Sequence, residues 1–540
     1  MSSYKVMFAI VLGGDLVKST EHLGVSYLTA VLREKGYQVI MKEIEREYDE
    51  LIDLIKKENI DMVGFTTTAI NILQVKEMTE KIKAIFPKLV IAYGGHMATF
   101  MDEEILRTIN GVDVVIRGEG EETIVELVEA LEHNKGYKGI NGISYISTDG
   151  AFIREKNRPL IADLDKLPFP SRDQFETSRR RPQYLRICSS RGCYGNCAYC
   201  SSFVGRGNKE IIWRGRSAKN IVDEIEYLVN KYKFHTFDFV DSSFEDPPNG
   251  KGKKRIREIA QEIINRGLKI YYNCCFRAEN WNENDHELLG LMVESGLEKI
   301  NIGFEAGNDR VLSIFNKIAR TKDNWKALET IKQHPEIYIT FGFIFHHPYA
   351  TFQDYRDNAE FLYHTGYGQV TRHYFWPLEV YPFTGIKKKL QNDGLLECED
   401  SLYEVYSYQY QNKAVERFSR QIISLVKEPI ISEFEIFDII IHTYIYRILR
   451  DYKNDENVCS EVSRFQLFVD SKREAIAKAN YDFFMGALEL AENNLEYDSY
   501  IAEKSKKLFD MLTQSKKDIL NKQLKLSREL ISMGVLLDEL

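Results

Sequence analysis

Cys193, Cys197 and Cys200 are the residues of this chain best suited to chemistry. They stand in a C-x3-C-x2-C spacing within Arg191-Gly192-Cys193-Tyr194-Gly195-Asn196-Cys197-Ala198-Tyr199-Cys200. Thiolates are the usual ligands of iron–sulfur clusters, and three set this closely suit one short loop wrapped round a cluster corner. Three ligands on a four-iron cube leave one iron open, able to chelate a small molecule and pass it an electron. A zinc site is the competing reading, but a four-ligand zinc site usually shows a second Cys/His pair. Cys188, Cys274 and Cys275 supply no further C-x2-C.

The elements that must hold such a loop follow from the pattern on either side. Tyr184 to Ser190 reads as a strand running straight into it. Further strand-like runs are Thr236–Asp241, Ile270–Phe276, Lys299–Phe304, Tyr338–Phe345 and Arg372–Val380. Helical runs near 218–231, 253–266, 285–294, 323–333 and 353–364 separate them. Six alternations predict a partial (β/α)6 barrel over 185–395 with its site at the carboxyl ends of the strands. The loop spacing, with Tyr199 before the last cysteine, resembles the radical S-adenosylmethionine (SAM) superfamily, whose 4Fe–4S cluster cleaves SAM to a 5′-deoxyadenosyl radical. On that resemblance Ser242 and Ser243, in the second-strand motif, contact the methionine amino group, and the Tyr199 backbone meets the adenine. Arg277 offers a fork to the carboxylate, and Glu305, in Gly303-Phe304-Glu305-Ala306-Gly307, is a polar contact where the family has G-x-E-S-G. Phe343 lies on the adenine-contacting strand. His346-His347-Pro348-Tyr349-Ala350-Thr351 replaces the common G-x-P-G-E-T, and the two histidines are open to either proton transfer or packing.

Residues 1–150 alternate apolar strands with amphipathic helices, which predicts a doubly wound, Rossmann-like parallel sheet. The expected strands are Lys5–Leu12, Tyr37–Ile40, Met62–Thr66, Leu89–Tyr93 and Val112–Ile116. Ligands of such sheets bind beyond the carboxyl ends of the strands. Gly13, Thr66, Thr67, Thr68, Gly94, Gly95, Gly118 and Glu119 collect there. No G-x-G-x-x-G follows the first strand, which argues against a dinucleotide. Leu23-Gly24-Val25-Ser26-Tyr27-Leu28, Asp61–Thr66, Tyr93-Gly94-Gly95-His96 and Arg117-Gly118-Glu119-Gly120-Glu121 together resemble the cobalamin-binding domain that precedes many radical SAM cores. The D-x-H-x-x-G of domains with a lower axial histidine is missing at Glu21-His22-Leu23-Gly24. The resemblance therefore implies cobalt without a histidine below it.

A proline-punctuated stretch, 151–184, reads as a linker containing the basic run Ser178-Arg179-Arg180-Arg181. Residues 396–540 read as an amphipathic helical region with tyrosines at 403–410. A chain of 540 residues exceeds one core, and a net charge of −9 argues against non-specific nucleic-acid binding. No apolar run approaches the roughly 20 residues of a membrane span. The N-terminus enters a strand rather than a signal peptide, and an oxygen-labile cluster suits a reducing cytoplasm. The ordered pair of resemblances implies a cobalamin-dependent radical SAM methyltransferase. It would methylate an unactivated carbon of a peptide or small natural-product precursor through a 5′-deoxyadenosyl radical and methylcobalamin. Its electrons would come from an external flavodoxin- or ferredoxin-type donor. A non-methylating cyclisation or rearrangement is the alternative.

Overall fold

A computed structural model describes residues 4–11, 21–44, 48–172, 175, 182–201, 213–397 and 406–536. Gly13, the basic run 178–181 and Tyr403 lie outside the described residues. The chain divides into two compact units, one of residues 1–194, 201–272 and 398–406, the other of 195–200, 273–397 and 407–540.

In the first unit the alternating pattern folds into a seven-stranded sheet. Its strands are β1 (Lys5–Val11), β2 (Gln38–Ile44), β3 (Met62–Thr66), β4 (Val90–Gly94), β5 (Val114–Ile116), β6 (Ile143–Ile146) and β7 (Phe152–Arg154), in the order β2-β1-β3-β4-β5-β6-β7. The first five pair in parallel, and β6 and β7 add an antiparallel edge that the periodicity did not predict. Strand β1 shows why both faces are covered. Met7, Ala9 and Val11 join one core with helices Tyr48–Glu58 and Ile72–Ile85. Val6, Phe8 and Ile10 join the other with helices Leu23–Glu34 and Glu121–Glu132. Successive side chains of a strand point to opposite faces, so an unbroken apolar run is what a doubly covered strand needs. Each such side chain contributes roughly 1.5–3 kcal/mol on burial. Gly64 is required on β3, because a Cβ there would lie 2.7 Å from the Phe8 ring. The strand order reverses between β1 and β3, which opens a crevice at the carboxyl edge.

The same unit holds β8 (Leu185–Ile187), β9 (Ser190–Gly192), β10 (Trp213–Gly215) and β11 (Thr236–Phe239). β8 runs parallel to β11, and β9 pairs antiparallel with β10, so the single strand expected over 184–190 is two. A buried chain of charge ties these segments together. Arg172 pairs with Glu21 at 2.6 Å and with Glu224 at 3.3 Å, and Arg216 meets Glu224 at 2.5 Å. Burial pushes Glu21 up to about 6 despite the opposing Arg172 guanidinium.

In the second unit β12 (Tyr271–Arg277, its first two residues in the other unit) is followed by β13 (Leu297–Glu305) and β14 (Tyr338–Phe343), the last two parallel in register. The sixth strand expected over 372–380 is absent. Residues Thr371–Tyr374 form a 3-10 turn, and only a single bridge joins His346 to Pro377. Proline cannot donate to a ladder, so pairing ends where it starts. Helices Pro429–Asp451, Glu456–Glu492 and Asp498–Ser532 close the unit around Ile441, Val462, Phe465 and Leu530. No described helix is long and apolar enough to cross a membrane.

Candidate cofactor sites

The carboxyl edge of the first sheet opens into a cavity of about 640 Å3. Thr66, Gly94, Gly95, Gly118 and Glu119 line it, and Phe8, Leu23, Val25, Leu28, Phe65 and Ile116 make its walls apolar. Gly95 has φ +94°, and a Cβ there would come within 2.8 Å of the Thr67 carbonyl, so only glycine fits this turn. At Gly24 and Gly94 a Cβ would instead meet almost nothing, the nearest atom being Ile116 O at 3.9 Å from the one on Gly94. Side chains there would fill the cavity, so its glycine rim suits close approach by a broad, flat ligand.

Two of the sequence candidates stand behind the rim rather than on it. The Thr67 hydroxyl donates to Gly94 O at 2.9 Å and accepts from Ala98 N at 3.1 Å, which braces the turn. Thr68 is turned to Asn71, whose side chain accepts from its N–H at 2.8 Å. His96 does line the rim, leaning on Phe100.

Cys188, Ser190, Arg191, Gly192, Val240 and Ser242 complete the lining from the segments that lead into the cysteine loop. An alternating lattice of charge holds this side. Arg191 reaches Glu119 at 3.0 Å and Glu121 at 2.5 Å, Arg214 reaches Glu119 at 2.9 Å, and the Arg191 guanidinium covers the Tyr27 ring. Burial pushes Glu119 up, but the hydrogen bond from Arg214 and the charge of Arg191 outweigh it and hold the carboxylate below its usual range. These partners are 70 to 95 residues apart, a separation no local pattern reports.

The cysteine loop is built by backbone tethers. Ahead of it, Gly192 takes φ +103° and Tyr194 N donates to Asp246 at 3.0 Å. Asp241 accepts from Ser189 Oγ at 2.5 Å, from Ser190 Oγ at 2.9 Å and from Ser190 N, so its carboxylate braces the approach to the loop. Ser243 is fully buried, whereas Ser242 is exposed to the cavity.

In the second unit Cys200 N donates to Cys197 O at 3.2 Å, Ala198 N to Phe315 O at 2.7 Å, and Asn316 Nδ2 to Asn196 O at 2.7 Å. The Tyr199 ring stands edge-on to Phe315, and its hydroxyl joins Cys197 and Glu305. Glu305 takes φ +67°, in the left-handed region, and pairs with Lys317 at 3.6 Å. A Cβ at Gly303 would lie 2.7 Å from the Glu305 carboxylate and 2.9 Å from Lys317 Nζ, so that glycine makes room for the ion pair. Lys317, only 6% exposed, was not singled out from the sequence. Burial pushes the Cys197 thiol up, against the nearby Lys317 charge. Arg277 pairs with Glu279 at 3.0 Å.

None of the three cysteines is in a disulfide. Among the described residues no three His, Cys, Asp or Glu side chains converge on one metal ion. Ligands of a four-iron cube hold separate corners, so a cluster does not require such convergence.

Three candidates lie in the core, Phe343, His346 and His347. Phe343 stacks on Phe361. His346 donates Nε2–H to Tyr374 O at 3.0 Å and has Tyr355 at Nδ1, and burial pushes it down to about 3. His347, edge-on to Phe315, has no hydrogen-bond partner on either ring nitrogen among the described residues.

Residues 10–128 match the B12 binding domain and residues 187–362 match the radical SAM superfamily. The chain thus carries a B12 binding domain followed by a radical SAM domain. An uncharacterized methyltransferase of Pyrococcus horikoshii is 30% identical over 316 residues, 58% of this chain and 66% of that protein. An anaerobic magnesium-protoporphyrin IX monomethyl ester cyclase of Rubrivivax gelatinosus is 27% identical over 60% of this chain and 58% of its own length. The matches thus span between half and two thirds of such curated relatives. The fold is that of the cobalamin-dependent radical enzyme OxsB, with TM-score 0.68 at 17% identity over 94% of this chain and 84% of that one. The radical SAM methyltransferase TsrM from Kitasatospora setae gives TM-score 0.62 at 14% identity over 79% and 89%.

Proposed function

We propose that this radical SAM chain methylates an unactivated carbon of a peptide or natural-product precursor. One observation carries the reading: the glycine-rimmed cavity of the B12 domain is lined on its other side by Cys188, Ser190, Arg191 and Gly192, from the segment that enters the cysteine loop. A ligand in that cavity would therefore lie against the segment that leads into the loop. In this reading Cys193, Cys197 and Cys200 hold a 4Fe–4S cluster. Thr66, Gly94, Gly95, Gly118 and Glu119 hold cobalamin, with Thr67 and Thr68 as braces. When bound, the cluster would supply the electron for SAM cleavage and cobalamin would carry the methyl group.

The chain's own residues bind and orient. Arg277, relayed from Glu279, offers a fork to the SAM carboxylate. Glu305, paired with Lys317, is placed for the amino group, with Ser243 buried behind Ser242. Ser242, which faces the cavity, is available to substrate or cobalamin as well as to SAM. Phe343 shapes the adenine side from within the core. The apolar walls keep bulk solvent away from a ligand held there. Similarity to a cyclase as well as to methyltransferases keeps a non-methylating cyclisation or rearrangement as the second reading.

Incubation of the reconstituted protein with SAM, an acidic flavodoxin and a pool of candidate precursors, followed by mass spectrometry, tests the choice. A product heavier by one methyl, formed with deoxyadenosine, supports methylation. Deoxyadenosine with a product that gains no methyl favours the second reading.

A further inference from the structure

In the second unit the back of the cysteine loop reaches the surface. Asn196 is exposed, and the backbone of Ala198 is gripped from both sides, its N–H donating to Phe315 O at 2.7 Å and its carbonyl accepting from Ile386 N at 2.8 Å. Each gripping segment carries an exposed apolar side chain, Ile318 at 55% and Phe383 at 58%. Phe383 holds φ +59°, a conformation an aromatic residue adopts only where its surroundings impose it. Helix Gly385–Asn392 begins against Ala198 and carries Lys387, Lys388 and Lys389 in succession. Lys388 and Lys389 are exposed. Lys389 pairs with Asp393 at 3.0 Å and covers the Tyr349 ring, while the Lys388 side chain has no ion pair among the described residues.

We propose that this face docks an acidic one-electron carrier protein of flavodoxin or ferredoxin type. The inference rests on the reading that Cys193, Cys197 and Cys200 hold a cluster. Such a cluster must be reduced from outside, and the loop reaches solvent at Asn196, next to the segments that carry Ile318 and Phe383. The whole chain carries −9, so an acidic donor is repelled by most of it and steered to a lysine-rich face. Ile318 and Phe383 give that face the apolar centre of a small, transient interface. The transfer balances without bond making: a flavodoxin hydroquinone loses one electron to become the semiquinone, and the oxidised cluster gains it.

Stopped-flow reduction of the reconstituted protein by flavodoxin hydroquinone, with dithionite as a small reductant, tests the surface. Lys388→Glu/Lys389→Glu should slow reduction by flavodoxin about tenfold or more at low salt. The rate with the unaltered protein should fall as salt is added, and Lys388→Arg/Lys389→Arg should keep the original rate. Dithionite should reduce all three alike. Equal flavodoxin rates in the reversed variant would overturn the proposal, as would an equal slowing with dithionite. A loss of self-association in that variant without any change in flavodoxin rate would assign the face to a second copy of the chain. If the unaltered protein holds no dithionite-reducible cluster, the cluster reading itself fails and the docking face falls with it.

Discussion

Gly24 offers a substitution whose effects on stability and on binding should have opposite signs. It is the second residue of helix Leu23–Glu34 and lines the cavity, and a Cβ there would touch nothing within 4 Å. Leucine is a far better helix former than glycine, so Gly24→Leu should stabilise the apoprotein by roughly 0.5–1 kcal/mol, towards the lower figure in a first turn. The same side chain projects into space that a cobalamin in this cavity would fill. Overfilling a packed site costs typically about 1–3 kcal/mol, which corresponds to an affinity loss of about 5- to 150-fold. The assay is titration of the anaerobic protein with hydroxocobalamin followed by absorbance, with circular-dichroism melting of the apoprotein in parallel. A melting temperature equal to or above that of the unaltered protein together with weakened binding is the expected pair. Unchanged cobalamin affinity would refute the assignment of this cavity, because no ligand of that size could occupy it and ignore a leucine there.

Two further tests address other links. Glu21 titrates near 6 in the fold, against 4.5 as its ordinary value. The folded state therefore holds its proton longer, and this group's contribution is present below pH 4.5 and lost by about 2 kcal/mol as pH rises through 6. The stability difference between the unaltered protein and Glu21→Gln, from denaturant midpoints, should shift across that window and be flat above pH 7; a flat difference throughout would contradict the burial of this carboxylate. Tyr199→Phe removes a hydroxyl that hydrogen-bonds Cys197. Hydrogen bonds to cluster sulfurs raise reduction potentials, so an EPR-monitored redox titration should give a more negative midpoint at unchanged iron content, and an unchanged or higher midpoint would show that the hydroxyl does not serve the cluster.

What the sequence disclosed was whatever leaves a local trace. The unbroken apolar run of β1 and the helix periodicity beside it act over a few residues, and each led to the right element. The B12-like sheet and the strands of the barrel up to β14 were legible for that reason. The stretch 372–380 misled because its aromatic and β-branched residues mimic a strand, while Pro377 stops the pairing after one bridge. Residues 143–154 form an edge hairpin of short strands too brief to show a period. At the site, glycines at strand ends were readable, but the distinction between Thr66 on the rim and Thr67 behind it depends on where the turn at Gly95 folds back. Arg191 with Glu119, 72 residues away, and Lys317 with Glu305 were invisible because these ion pairs are set by tertiary packing and follow no local pattern. Lys317 belongs to no motif, and only the fold shows Gly303 making room for it.

The assignment of two cofactors to one chain is tested most directly by metal analysis. The protein would be purified anaerobically, reconstituted with iron, sulfide and hydroxocobalamin, freed of excess by gel filtration, and assayed for iron and cobalt alongside Cys197→Ala. About four iron atoms and one cobalt per chain, with iron but not cobalt lost in the variant, is the expected result. Iron without cobalt would contradict the cavity's role, and cobalt with no cysteine-dependent iron would contradict the loop's.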